Sequence, residues 1–461
     1  MSRILTIWRS WSVQRRALTL GAVLLVAAGG GIFAYAKLKR PPDVSNPAVD
    51  FVVSDKPEGR QVKPKDNTVD WPTYGYTDAR TRYFPSRAVR PPFASSDWSI
   101  QFGKLLEFSP IVVDDRIYVM DIDANFYAVD AEKGKVIWEK DVGGLNATSP
   151  AYAQGKLYAT NLEPGQALSL RAKDGKMLWK RPLPGRSESS PLVFRDKLVI
   201  FGCECGTVFA LDAEDGSVEW QVETAGAIKA ALALNNGNVY GGNYAGEAFA
   251  IDADSGNVEW KISTSGSSFG RGGGIYSTPA VAYGRVYFGS IDSRVYSLDE
   301  DTGSIAWSKS TGAEVYSGPA VADTPGTPPS VYIGSADDNI YALDARTGSV
   351  RWQKDIGGDV TGAGTVIGDV FYVSVIGEGR GTVGFDVGSG AVRYENDIGE
   401  YNPAITDGER LFLTGYSELR AFPPQSLVKK RKQERKREKA AKKAAKKAEA
   451  PPAAEETAPD G

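Results

Sequence analysis

Short apolar runs, four to a unit and broken by tight polar turns, recur along the chain from about residue 109 to residue 398. One unit, residues 190–224, reads SPLVF, KLVIFG, TVFALD and VEWQVET, separated by RD, CECG and AEDG. Runs of this length, rich in β-branched and aromatic residues and bounded by Asp and Gly, predict strands joined by hairpin turns. Each unit is then one antiparallel four-stranded sheet.

The end of the unit is its most regular part: AVDAEKGKVIW closes on Trp138, ALDAEDGSVEW on Trp220, AIDADSGNVEW on Trp260 and ALDARTGSVRW on Trp352. Aligned on this residue the chain shows Trp98, Trp138, Trp179, Trp220, Trp260, Trp307 and Trp352, with Tyr394 in the same place in GFDVGSGAVRY. The spacings are 40, 41, 41, 40, 47, 45 and 42 residues, a period that with four strands per unit predicts the blades of a β-propeller. Within the motif Asp opens the turn, Gly takes the positive-φ position and Trp leads the last strand. A blade cannot bury both faces alone, so the indoles are predicted to dock each blade on its neighbour. Arg171 replaces the motif Asp in the second repeat.

Strand counting predicts how the ring closes. The chain finishes its repeats with PAITD, ERLFLTG and ELRAF, three strands without a fourth, while SDWSIQF around Trp98 has no strands of its own before it. Pairing the two ends completes an eighth blade and leaves no open edge. The predicted fold is all-β, an eight-bladed β-propeller of four-stranded blades over residues 95–424.

The segment ahead of it changes the picture. ALTLGAVLLVAAGGGIFAYA, residues 17–36, is uncharged for 20 residues, which as a helix matches a bilayer core of about 30 Å. It is predicted to be a transmembrane signal anchor, with residues 1–16 cytoplasmic and residues 37–94 a linker and pre-propeller segment. Arginines at 3, 9, 15 and 16 precede it and Lys37, Lys39 and Arg40 follow, a weak positive-inside bias toward a cytoplasmic N-terminus. AYA at 34–36 also fits a cleavage site, and the length of the apolar run favours an uncleaved anchor. The expected location is the cell membrane, single-pass, with the propeller on the extracytoplasmic side.

Composition narrows the chemistry. Among 461 residues there is no histidine, which removes Ser/His/Asp triads, imidazole metal sites and CxxCH haem attachment. Cys203 and Cys205 are the only cysteines, in the turn GCECG; ordinary turn residues are the favoured reading over a redox disulfide or half a zinc site. The net charge of −3 conceals twelve Lys/Arg against two Glu between Lys429 and Lys447. Residues 425–461 are expected to form a basic, then acidic and Pro/Ala-rich, solvated tail. Its expected counterions are anionic lipid or wall polymer, with no nucleic acid.

The motif AxDxxTGxxxW resembles the tryptophan-docking repeat of the PQQ-type propellers, and DWPTYGYTDARTRYFP, residues 70–85, resembles the N-terminal signature of quinoprotein dehydrogenases. The compact blades and exported context look like BamB, a family of eight-bladed outer-membrane assembly lipoproteins, although the lipid-attachment cysteine of that family is absent here. The resemblance spans about residues 70–424. It implies either a non-catalytic scaffold for envelope proteins, without a cofactor, or a dehydrogenase using PQQ and Ca²⁺. Most blades take only 40 to 42 residues, which leaves no long insertion to roof a cofactor and favours the membrane-anchored scaffold. No catalytic or metal-binding residue is assigned.

Binding residues are expected at one mouth of the channel. Three residues before the position of the SP-type proline that opens most blades, the aligned residues are Glu107, Ala147, Glu188, Ile228, Tyr276, Tyr316, Thr361 and Glu400, with Lys229 beside Ile228. Glu107, Glu188, Lys229, Tyr276, Tyr316 and Glu400 are candidates for gripping a cationic ligand or peptide, against the alternative of a merely solvated polar mouth. The longest connection, STSGSSFGRGGGIYSTP, carries Phe269 and Arg271 among glycines. It is either a partner loop or a plain insertion.

Overall fold

The computed structural model describes residues 42–53, 70–264, 273–376 and 381–448. The predicted anchor at 17–36 and the Phe269/Arg271 loop lie outside the described residues. Among the described residues no helix is long and apolar enough to cross a membrane.

Eight sheets, each built on four antiparallel strands, form the blades of a propeller, and Tyr83–Phe84 adds a short parallel strand to the seventh. Blade I runs from Ile111–Val113 to Lys135–Asp141, and blades II to VII follow in chain order to Val392–Asn396. Blade VIII has Ile405–Thr406, Leu411–Thr414 and Glu418–Phe422 from the end of the chain, and its fourth strand is Trp98–Gln101. Trp98 lies opposite Ala421 and Gln101 opposite Glu418 in an antiparallel register. The ring is therefore closed by a strand from the other end of the chain.

The repeated motif interlocks adjacent blades. Each indole N–H reaches into the next blade and donates to a backbone carbonyl just after its third strand: Trp98 to Ala131, Trp138 to Ala172, Trp179 to Ala213, Trp220 to Ala253, Trp260 to Glu300, Trp307 to Ala345 and Trp352 to Val387, at 2.9 to 3.2 Å. The same indole covers the turn glycine of that next blade, where a Cβ would overlap the ring, as at Gly216 under Trp179 and Gly348 under Trp307. These glycines hold φ between +63 and +75°, so one residue serves both the turn and the seam.

The seventh motif ends in Tyr394 for a structural reason. The third and fourth strands of blade VIII come from opposite ends of the chain, so no hairpin turn offers a glycine or carbonyl to dock on. Phe93, on the segment leading into the closing strand, packs edge-on against Tyr394 at 5.1 Å instead. Arg171, in place of the motif Asp, holds its turn by a two-pronged ion pair with Asp174 at 2.8 and 2.6 Å.

The pre-propeller segment is more than a linker. Trp71–Phe84 curls inside the channel and takes backbone hydrogen bonds from the innermost strands in turn: Tyr152 N–H to Pro72, Leu234 to Asp78, Val281 to Ala79, Val321 to Thr81 and Val366 to Arg82. Residues 42–53 run down the outside of blade V, where Val44–Ser45 adds a fifth strand beside Ile305–Ser310. The basic tail begins as helix α1, Gln425–Ala448. Its foot is clamped to the closure by Arg431, which meets Glu409 at 2.8 Å and Asp97 at 3.5 Å.

Candidate functional site

A propeller channel has two mouths, and the strand order says which residues reach each. Loops from the outermost strand of one blade to the innermost strand of the next, and turns between second and third strands, share one face. Turns between first and second strands share the other. The curled segment seals this second face: Asp70 accepts from the Asp114 N–H in the first turn of blade I, and Phe84 O accepts from Gly368 in that of blade VII. The channel is thus blind, open on one side only.

Its floor is built from two guanidinium groups under one phenol. Arg80 and Arg82 are fully buried. Arg80 donates to Leu232 O at 2.9 Å, Pro191 O at 3.1 Å and Thr73 Oγ1 at 2.6 Å, and also to Tyr74 O. Burial, with Arg82 nearby, pulls its pKa down to about 10, so it remains a cation at neutral pH. Arg82 donates to Arg80 O and Pro319 O, each at 3.0 Å, and sits 5.0 Å from the Tyr74 ring centre. Cations stored in a core need acceptors. Blades III, IV and VI supply most of the carbonyls and the curled segment adds Tyr74 O and Arg80 O, while Arg82 Nε and Nη2 have no hydrogen-bond partner among the described residues.

Above Tyr74 lies a cavity of about 250 Å³. Glu107, Glu188, Lys229, Tyr276 and Tyr316 all line it, as does Thr361. Ala147 and Ile228 are buried and belong to the core. Glu400 is outside the lining, and the adjacent Tyr401 takes its place. The reason is local: the Asn402 side chain donates to Leu106 O at 2.7 Å, which fixes the loop with Tyr401 at the cavity.

The side chains form a connected network. Lys229 Nζ donates to Glu188 Oε1 at 2.8 Å and lies 3.5 Å from Glu204 Oε1, while the Tyr276 hydroxyl donates to the other Glu188 oxygen at 3.2 Å. Tyr244, Tyr276 and Tyr316 follow one another edge to face at 6.0 and 6.1 Å. Burial opposes the charge on Lys229, but Glu188 and Glu204 outweigh it and raise its pKa. Burial and the neighbouring Glu188 carboxylate push Glu107 above the usual carboxylate range, with Lys229 working against them. Burial also raises Glu204, helped by its hydrogen bond with Glu188. With Glu188 committed to Lys229 and Tyr276, Glu107 is the carboxylate left facing the cavity.

Glu204 lies between Cys203 and Cys205, which are joined in a disulfide rather than standing as free turn residues. Position by position, sequence alignment could not single out Tyr74, Tyr401 or Glu204. Tyr74 does sit in the 70–85 signature and Glu204 in the unusual GCECG turn, so each had a visible flag without a role.

The profile of the outer membrane protein assembly factor BamB family matches residues 93–230 and 204–426. The chain belongs to this family. Among solved structures, BamB from Moraxella catarrhalis superposes with a TM-score of 0.59 at 18% identity, over 72% of this chain and 99% of that one. Quinohemoprotein alcohol dehydrogenase from Comamonas testosteroni gives 0.66 at 15% identity, over 79% and 82%. A 1-butanol dehydrogenase (cytochrome c) from Thauera butanivorans is 34% identical over 77 residues, 16% of this chain and only 11% of that relative. These BamB-family and quinoprotein likenesses share one fold, and fold alone does not choose between their activities.

Proposed function

We propose that this BamB-family chain is a non-catalytic, membrane-anchored propeller on the extracytoplasmic side, a scaffold for envelope proteins whose cavity receives a cationic side chain from a partner. The observation that carries this reading is the charge and aromatic content of the blind cavity. Glu107 lines it with no ion pair to a described residue, feeling Lys229 only at longer range, and Tyr74, Tyr276, Tyr316 and Tyr401 surround it. Carboxylate plus ring faces is the chemistry that holds an ammonium or guanidinium group.

The same residues do not fit the quinoprotein cofactors. PQQ is a planar tricarboxylate, and among the described lining residues it would meet Glu107 and Glu188 with Lys229 alone for a counter-charge, an ammonium that Glu188 and Glu204 already engage. Arg80 and Arg82 are enclosed beneath Tyr74. Among the described residues no three Asp, Glu, Cys or His side chains converge as ligands for Ca²⁺. The dehydrogenase remains the second reading because the match to the butanol dehydrogenase favours it.

Two measurements test the proposal. Dye-linked alcohol or sugar oxidation by the purified ectodomain supplied with PQQ and Ca²⁺ is expected to show no turnover, and robust turnover overturns the scaffold. A photo-crosslinking residue at Tyr316 is expected to trap a partner in intact cells several-fold less well when Glu107→Gln is introduced. Undiminished trapping overturns the cavity as the docking point.

A further inference from the structure

The path of residues 42–53 orients the propeller. Asp43 is held at the end of the outermost strand of blade V: its carboxylate accepts from Ser310 N–H at 2.8 Å and from Lys309 Nζ at 2.9 Å, and it lies 3.5 Å from Arg294. Ser310 opens the loop that carries Tyr316 to the cavity, so Asp43 lies on the cavity face. From there the chain descends. Phe51 stacks on Tyr283 at 4.9 Å and Val52 N–H donates to Tyr283 O, in a turn on the sealed face.

Helix α1 leaves on that sealed face. Its Arg431 pairs with Glu409 in the first turn of blade VIII, and Gln425 N–H donates to Pro92 O. At 24 residues α1 is about 36 Å long. Anchor and helix are therefore attached to opposite faces.

Residues 37–42 separate the predicted span from Asp43, seven Cα–Cα steps that reach at most about 25 Å. A blade strand of six residues such as Ile305–Ser310 is itself about 20 Å deep. Fully extended, the tether spans little more than the blade alone, and it is too short to pass the blade and also clear a helix of about 36 Å on the sealed face.

We infer that the cavity face is turned toward the anchoring membrane, so that the cationic side chain proposed for the cavity reaches it from the membrane side. The basic helix, with Lys429 to Lys447, points into the compartment. This inference rests on the anchored reading of residues 17–36 proposed above.

The test uses full-length protein in liposomes carrying a fluorescent acceptor on the lipid headgroup, with Cys203→Ser and Cys205→Ser as background. Donor dyes are placed at Tyr416→Cys on the cavity face, at Glu132→Cys on the sealed face and at Lys439→Cys on α1; Tyr416 is 57% exposed, and Glu132 and Lys439 are also exposed. Energy transfer is expected to be at least twofold stronger from position 416 than from 132 or 439. Equal or reversed transfer from a protein that floats with the vesicles in high salt overturns the orientation alone. A protein that does not float overturns the anchor itself, and with it this inference.

Discussion

Blade VI contains two glycines that separate the backbone part of the docking motif from its packing part. Gly348 has φ +73° and a Cβ there would stand 2.7 Å from the Trp307 ring, whereas Gly326 has φ +88° with open space around it. Gly326→Ala should cost about 1–2 kcal/mol, the penalty of a side chain in left-handed backbone. Gly348→Ala incurs the same penalty plus overpacking against a fixed ring, roughly another 1–3 kcal/mol. Trp307 cannot easily yield, since it is 1% exposed and its N–H is tied to Ala345 O at 3.0 Å. Equilibrium urea denaturation of the two variants should show the excess as a lower midpoint at unchanged slope. Trp307→Ala alone should cost about 3–5 kcal/mol, and in that background the two alanine variants should become equal, the excess appearing as coupling. Equal losses in the wild-type background, or an excess that persists without the indole, would refute the interlocking account.

Deleting residues 92–104 should expose the Glu418–Phe422 edge and give soluble aggregates by light scattering, where a monodisperse ectodomain with unchanged melting would count against closure by Trp98–Gln101. Glu107 binds its proton more tightly when folded than when unfolded, so its contribution to stability declines as pH rises from the ordinary carboxylate range through the raised folded value. Glu107→Gln should flatten that decline in denaturation midpoints measured across acidic pH, and an unchanged profile rejects the assignment. Reducing Cys203–Cys205 opens a loop of only three residues, for which chain entropy gives at most about 2 kcal/mol, so dithiothreitol should lower the urea midpoint slightly without unfolding the ring. Removing residues 429–461 from a soluble form without residues 1–36 should abolish low-salt binding to anionic vesicles or wall polymers while leaving the propeller folded, its melting lowered only by the loss of the Arg431 contacts.

The blades were readable because each repeats the same local physics: a strand period, a turn with Asp and Gly, and an indole at a fixed spacing. Closure was readable by elimination, since three strands at one end and one at the other leave a single pairing. The cavity positions followed from alignment wherever the loops are alike, and failed at Glu400, where the Asn402 to Leu106 bond resets the last loop. The channel floor was not readable. Residues 70–84 have no periodicity, and Arg80 and Arg82 look like surface cations until the carbonyls of blades III, IV and VI surround them. Tyr394 was legible as an aligned position but not its reason, because only the structure shows that the third and fourth strands of blade VIII lack the hairpin a tryptophan would need.

Closure has a consequence for the order of assembly. The strand Trp98–Gln101 waits for Glu418–Phe422, more than 300 residues later, and the segment Trp71–Phe84 waits for inner strands spread from blade I to blade VII. Contacts so distant along the chain are costly to form and slow to appear. Seven blades therefore stack while Trp98–Gln101 still lacks its partner strand, and the partly built arc carries an exposed edge at each end. The ring then forms around its own N-terminal segment, as masonry rises around a centring that is never withdrawn.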